Sequence, residues 1–390
     1  MLDPAASSVQ VTHNLCNHLV EAGCEAHVFT APRWLLTTNA LGKSTAYHLH
    51  IRFYRRTQSR SYHARTALSR LFWRSLRMAQ HVWAMISISV AAKTFDVVHT
   101  QILPVPWFDY FCLRFIARKT PVVCTVHELV PHNSKYRRLT GAFFRRIYRA
   151  ARLLLVYTDY TRDRLIHELR IAPEKILKIP HGNLEHLLRL KPPPGSLAPG
   201  QGPVALFIGG LRPDKGLDTL IKAAAHLRHK IANLKVQVAG MPGPGMAGIL
   251  ELVRRLELQD VVDFRLGYLA EQEFAAYLSR ATVVALPYRR IEQSGVAIAA
   301  CTFGKAIVAT RCGGMAELIA EAGNGLLVPV DEPVSFAEAL ELLLRDDQKR
   351  RALELRSEHY ARETLSWGPI AAKTVQAYGI AVRRPALGRG

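Results

Sequence analysis

Apolar residues fall into short runs separated by helical spacing, twice over. Val11, Leu15 and Leu19-Val20 recur at the period of a helix ending near Gly23, and Ala26–Thr30 then reads as a strand. Phe95–His99, Pro121–Val126, Ala151–Val156 and Ile176–Ile179 follow as further strands with helical stretches between most of them. The alternation restarts after residue 203, with strands expected at Ala205–Ile208, Lys235–Ala239, Val261–Phe264, Val283–Leu286, Ala306–Ala309 and Gly325–Val328. Such β-α alternation predicts two open parallel sheets, an α/β fold of two doubly wound Rossmann-like domains facing across a cleft. The expected division is 1–190, a Pro- and Gly-rich linker at 191–203, 204–370, and a tail at 371–390 able to pack back on the first domain. Met1–Gln10 holds no apolar run, so the strand that opens such a domain is expected to be missing.

The chain has 390 residues, 49% of them hydrophobic, enough for two buried sheets. No run of 18 apolar residues occurs and no signal peptide opens the chain. His81–Ala92 is apolar but short, and reads as a core or interfacial helix. The six cysteines form no C-x-x-C pair, which favours reduced, buried thiols in a cytoplasmic protein.

The net charge of +21 is uneven. Residues 1–190 carry 27 Lys/Arg against 11 Asp/Glu, and residues 191–390 carry 25 against 20. Eleven basic residues and no acid lie between Ala26 and Phe95. Arg52, Arg55, Arg56, Arg60, Arg65, Arg70, Arg74 and Arg77 alternate there with Phe53, Tyr54, Leu71, Phe72, Trp73 and Met78. An anionic membrane surface suits that mixture best. A solvated face is the plainer reading. Nucleic acid is the remaining one and is not expected, because no binding motif for it accompanies the charge.

The densest chemistry lies in Val204–Ile221. A strand is turned by Gly209-Gly210, Arg212 and Lys215 follow, and Leu217, Leu220 and Ile221 begin a helix. Free N–H groups, a positive dipole end and two cations meet there, which suits a phosphate. A strand–glycine–helix junction also occurs in any α/β domain. No Walker loop or Gly-x-Gly-x-x-Gly fingerprint is present. Further on, Pro287–Val296 joins a strand to the apolar stretch Ala297–Phe303, so Ser294, Gly295 and Val296 offer a second set of N–H groups at a helix start. Two anion-friendly helix starts in one domain make a diphosphate the economical ligand. In the first half, His127 and Glu128 stand just past a strand end, where active-site residues gather in such folds, though a core histidine is the bland alternative. Ile179–Asn183 closes that half with a tight turn.

Together these stretches resemble glycosyltransferase family 4, the retaining nucleotide-sugar transferases of the GT-B fold. The matching motifs are Thr125–His132, His181–Asn183, Arg212–Leu217, Pro287–Val296 and Gly304–Glu317, and the resemblance runs from about Ser8 to Leu344. It implies that Gly209, Gly210, Arg212, Lys215, Ser294, Gly295 and Val296 hold the donor diphosphate. Gly267, Tyr268 and Leu269 would bind the base. His127 and Glu292 would be the catalytic residues at the transferred sugar. Partners implied are a nucleotide-sugar donor, as substrate rather than cofactor, and a glycan or lipid-linked acceptor. Cell-surface or exopolysaccharide synthesis on the inner face of the membrane would be the setting. No cofactor is expected, and no metal, since neither D-x-D nor a His/Asp ligand set appears. The chain departs from the family pattern in places. The second Glu of the E-x7-E motif is Ala299, and Glu292 sits one residue out of register. The usual arginine of the first glycine loop is Gly210, with Arg212 two positions later. A non-catalytic member of the same fold and a basic nucleic-acid binder are the rival readings.

Overall fold

The computed structural model describes residues 1–6, 9–32, 45–57, 66–130, 137–191 and 202–383, with Arg137 described in its backbone alone. Arg60, Arg65, His132 and most of the expected linker lie outside those residues. The chain divides into two compact units, Met1–Gly182 with Trp367–Gly390, and Asn183–Ser366.

The first unit is built on a seven-stranded parallel sheet in the order β3-β2-β1-β4-β5-β6-β7. Its strands are β1 (Leu2–Asp3), β2 (His27–Thr30), β3 (His48–Ile51), β4 (Val98–Thr100), β5 (Val122–Thr125), β6 (Leu153–Val156) and β7 (Ile176–Lys178). Alternate residues of β5 and β6 feed opposite faces, as the pleat requires. Val122, Cys124, Leu154 and Val156 pack with Met85, Ile88, Leu113 and Ile147. Val123, Leu153 and Leu155 pack with Leu15, Leu19, Trp367 and Ile370. A sheet covered on both faces explains why its strands read as continuous apolar runs.

Two strands escaped the sequence reading. The first strand is present, contrary to expectation: Leu2 pairs with Phe29 and Thr100, and Asp3 pairs with Thr30. A two-residue strand with one aspartate gives no apolar run, yet both residues are buried at the centre of the sheet. The edge strand β3 is His48-Leu-His-Ile, whose histidines mask its period.

Helix Trp367–Arg383 belongs to this unit, with Trp367, Ile370, Ala371 and Ala377 buried against the helix Val9–Glu21 and the sheet. His99 on β4 ties it down, sharing hydrogen bonds of 2.7 Å with the Tyr378 hydroxyl and with Thr125 Oγ1. Burial pushes the His99 pKa down to about 3, helped by the terminal amine and His127. A histidine held neutral when folded contributes stability above its unfolded pKa, which is lost as pH falls from there toward the folded value. Acidification to pH 5 should therefore cost about 2 kcal/mol through His99. Thermal melts at pH 7.5 and 5 check this. The wild type should lose more Tm than His99→Gln, and equal losses would contradict it.

The second unit is a six-stranded parallel sheet in the order β10-β9-β8-β11-β12-β13. The strands are β8 (Val204–Ile208), β9 (Lys235–Gly240), β10 (Val262–Leu266), β11 (Val283–Leu286), β12 (Ile307–Thr310) and β13 (Gly325–Val328). β8, β11 and β12 are buried along their whole length. Each buried Leu, Ile or Phe there contributes about 1.5–3 kcal/mol. From β8 the order runs outward one way to β9 and β10, and the other way to β11, β12 and β13. The reversal at β8/β11 opens a crevice beyond the strand C-termini, where ligands bind in such sheets.

All six cysteines are free, and Cys16, Cys124 and Cys301 are pushed up to about 12 by burial. No described helix is long and apolar enough to cross a membrane.

Candidate functional site

The reversal point of the second sheet carries both loops that the sequence singled out. β8 ends at Ile208, and Gly209 leaves it at φ +124°, a backbone conformation L side chains rarely adopt. A Cβ on Gly209 would lie 3.3 Å from Val296 Cγ2, so the two loops touch here. Pro213–Lys215 forms one turn of 3₁₀ helix, and Gly216, at φ +64°, caps the helix Leu217–Leu227. A Cβ on Gly216 would run into the Pro287 carbonyl oxygen, so only glycine lets this turn seat against the end of β11.

Lys215 is 9% exposed, with Nζ 3.8 Å from the centre of the Tyr288 ring. Tyr288 is buried, and burial raises its pKa despite a hydrogen bond to Ser294. Thr310 Oγ1 donates to the Tyr288 carbonyl. Ser294 caps the helix Gly295–Thr302, its Oγ accepting from Ala297 N–H at 3.2 Å. Tyr288 thus joins the lysine of one loop to the cap of the other helix. Gly295 is exposed at that helix start, whose first N–H groups have no intrahelical acceptor. Glu292 is buried one turn before it.

Arg212 stands differently from the open cation expected. Its Nε and Nη2 donate to both carboxylate oxygens of Asp214, at 2.9 and 2.8 Å. Burial works against the Asp214 charge, but the Arg212 hydrogen bonds and charge, with Lys215, hold its pKa below the ordinary range. Arg289 is a clamp the sequence did not reveal. It donates to Asp218 at 2.8 Å, to Asp331 at 2.7 Å and to the Pro213 carbonyl at 2.8 Å. Those bonds fix the lysine loop to the start of the following helix.

Gly267 follows β10, its N–H donating to the Gly240 carbonyl at 2.9 Å. Tyr268 beside it is 70% exposed, and Leu269 packs on the core. This segment ends two strands from β8 on the same edge of the sheet.

His127 belongs to the first unit, just past β5. Its Nε2–H donates to Gln101 Oε1 at 2.8 Å, Gln101 being the residue after β4. The Tyr157 ring meets it edge-on at 5.4 Å and His181 in turn at 5.0 Å. Burial, and then the neighbouring His181, push the His127 pKa down to about 3. The ring is neutral at physiological pH and presents Nδ1 as an acceptor. A cavity of about 200 Å³ opens beside it, walled by Gln101, Leu103, Glu128, Phe144 and Tyr148. Asn183, last of the His-Gly-Asn motif, crosses into the second unit, where its N–H donates to the Leu365 carbonyl and its Nδ2 to the Ala361 carbonyl.

Two family descriptions cover nearly the whole chain. "Glycosyltransferase Family 4" matches residues 8–183 and "Glycosyl transferases group 1" matches residues 192–359. The chain belongs to this glycosyltransferase family. Its architecture is accordingly GT-B, two Rossmann-like domains. Among curated relatives, D-inositol 3-phosphate glycosyltransferase of Kineococcus radiotolerans is 33% identical over 63% of this chain and 60% of its own. The same-named protein of Corynebacterium glutamicum is 29% identical over 78% and 77%. The chain thus spans only about six tenths of the Kineococcus relative's length. Among solved structures, sucrose-phosphate synthase from Thermosynechococcus elongatus superposes with a TM-score of 0.70 at 20% identity, over 94% of this chain and 92% of its own. Anabaena HepE in complex with UDP and glucose gives 0.70 at 18%, over 97% and 98%.

Proposed function

We propose that this protein is a retaining glycosyltransferase that moves a sugar from a nucleoside diphosphate donor to a hydroxyl of a glycan or lipid-linked acceptor. One observation carries the reading. Lys215 and the Gly295 helix start meet at the reversal point of the second sheet, joined through Tyr288. A buried lysine beside free N–H groups and a positive dipole end favours a diphosphate, and favours it more as charge develops on leaving. The UDP and UDP-glucose complexes of HepE support that donor class. In this proposal Lys215 and the helix dipole neutralise the leaving diphosphate, with Arg212 joining only once it leaves Asp214, and no divalent ion is invoked. Tyr268, exposed at the end of β10, suits the base. His127 and Glu292 are assigned to the transferred sugar.

The acceptor assignment has one competitor. The curated relatives are named for an inositol phosphate acceptor, which supports a phosphorylated polyol in place of a glycan. Thermal-shift screening against UDP-, GDP- and ADP-sugars, followed by product analysis with each acceptor class, separates them. Stabilisation by none of these donors would remove the reading.

We further propose that the first unit docks on anionic membrane at the inner face, in cell-surface or exopolysaccharide synthesis. Leu68, Phe72, Trp83, Ile86 and Val90 form one exposed stripe on the helix Ala67–Ala91, away from buried Ala84, Met85 and Ile88. Trp107, Phe111 and Phe115 expose a second stripe on Pro106–Ile116, which packs beside it. Replacing Arg52, Arg55, Arg56 and Arg60 with Gln should lower co-sedimentation with anionic vesicles and leave donor binding unchanged. The wild-type interaction should weaken at several hundred millimolar salt as the screening length shrinks. RNA binding without vesicle binding at the same salt would transfer the basic face to nucleic acid.

A further inference from the structure

At the opposite end of the first sheet, where β2 and β3 begin, three histidines and a glutamate converge. His27 and His48 are direct partners in the parallel ladder, and Phe29 pairs with His50, so all four side chains share a face. Glu25 Oε1 lies 3.0 Å from His27 Nε2 and 3.7 Å from His48 Nε2. Those three atoms all fall within 4.8 Å of one another. Bonds of about 2.0–2.2 Å around a tetrahedral ion set neighbouring ligand atoms roughly 3.3 Å apart. The three atoms need only small ring rotations to reach that spacing.

The surroundings complete the case. A ligating imidazole almost always has its second nitrogen bonded, which fixes tautomer and orientation. His27 Nδ1 shares a hydrogen bond of 3.0 Å with His50 Nε2. His50 is itself stacked on Phe29 at 4.6 Å between ring centres. His48 stacks on His27 at 4.6 Å, and both Nε2 atoms face Glu25 Oε1. Glu25 and His27 also line the wall of a solvent-reachable cavity of about 750 Å³, which gives an ion a path in.

We propose that Glu25 Oε1, His27 Nε2 and His48 Nε2 form a site for a divalent transition-metal ion of the Zn²⁺ type, clipping β3 to β2. Two imidazoles and one carboxylate select such an ion over Mg²⁺ or Ca²⁺, which take oxygen ligands. Solvent supplies the fourth position. Among the described residues β3 is an edge strand paired with β2 alone, so an ion shared with β2 would add a second tie to its ladder. The site stands at the strand N-termini and His127 stands past a strand C-terminus, so the ion takes no part in sugar transfer.

The test uses the untagged full-length chain and Zn²⁺ alone, in competition with a chromophoric chelator, with the Co²⁺ absorption spectrum as a second readout. One ion per chain is expected, with a rise in Tm. His48→Ala and Glu25→Gln, both at exposed positions, should each weaken binding about tenfold or more and lower the Tm rise. His50→Ala should weaken it about tenfold by freeing the His27 ring. A His226→Ala/His229→Ala variant, which removes two exposed histidines in the second unit, should bind as wild type. Absence of stoichiometric binding overturns the site, as does binding unchanged in both His48→Ala and Glu25→Gln.

Discussion

Lys215→Ala is expected to weaken nucleoside diphosphate binding about tenfold to a hundredfold, the effect of losing a charge-assisted phosphate contact of about 1.5–3 kcal/mol. The residue is nearly buried, and its ammonium lies over the Tyr288 ring at the meeting point of the two loops. The loss should fall on the diphosphate and spare the nucleoside, since Tyr268 and Gly267 end two strands away. Calorimetric titration with the diphosphate and with the free nucleoside separates these contributions. Arg212→Ala should act in the same direction and more weakly, because the guanidinium must first leave Asp214. Unchanged diphosphate affinity in Lys215→Ala would remove the phosphate site.

His127→Ala should lower kcat about a hundredfold or more while changing donor affinity much less. One preorganised polar group at a reacting centre typically contributes on that scale. Its ring is fixed by Gln101 and Tyr157 and held neutral, so it can accept a hydrogen bond from a sugar hydroxyl without first losing a proton. With a pKa pushed down to about 3, it should contribute no titration to kcat between pH 5 and 8. A variant that raises KM and keeps kcat would reassign His127 to ground-state binding.

The parallel sheets were legible because their strands are covered on both faces. Val204–Ile208 and Val283–Leu286 read as buried strands because they are short apolar runs, and glycines marked the helix starts that follow. β1 was not legible, because two residues held between β2 and β4 carry no period of their own. The histidines of β3 concealed an edge strand for the same reason that they form a cluster. In the candidate site, the residue types and their spacing marked the two loops that meet at the β8/β11 reversal. What they form together did not show, because Tyr288 joins Lys215 to Ser294 only once β11 lies beside β8. Likewise, the Arg212–Asp214 pair and the Arg289 clamp depend on side-chain directions at a turn, which spacing does not specify. The chain's second crossing, at Ser366/Trp367, was nearly hidden, since helical period alone does not say which sheet Trp367 covers.

A crystal structure with the preferred nucleoside diphosphate bound would show whether Lys215 and the Gly295 helix start hold the phosphates. Phosphate oxygens are expected within about 3 Å of Lys215 Nζ and of the Gly295 and Val296 N–H groups, the ordinary reach of charge-assisted hydrogen bonds. Diphosphate bound elsewhere, with Lys215 still over the Tyr288 ring and the Gly295 helix start untouched, would contradict it.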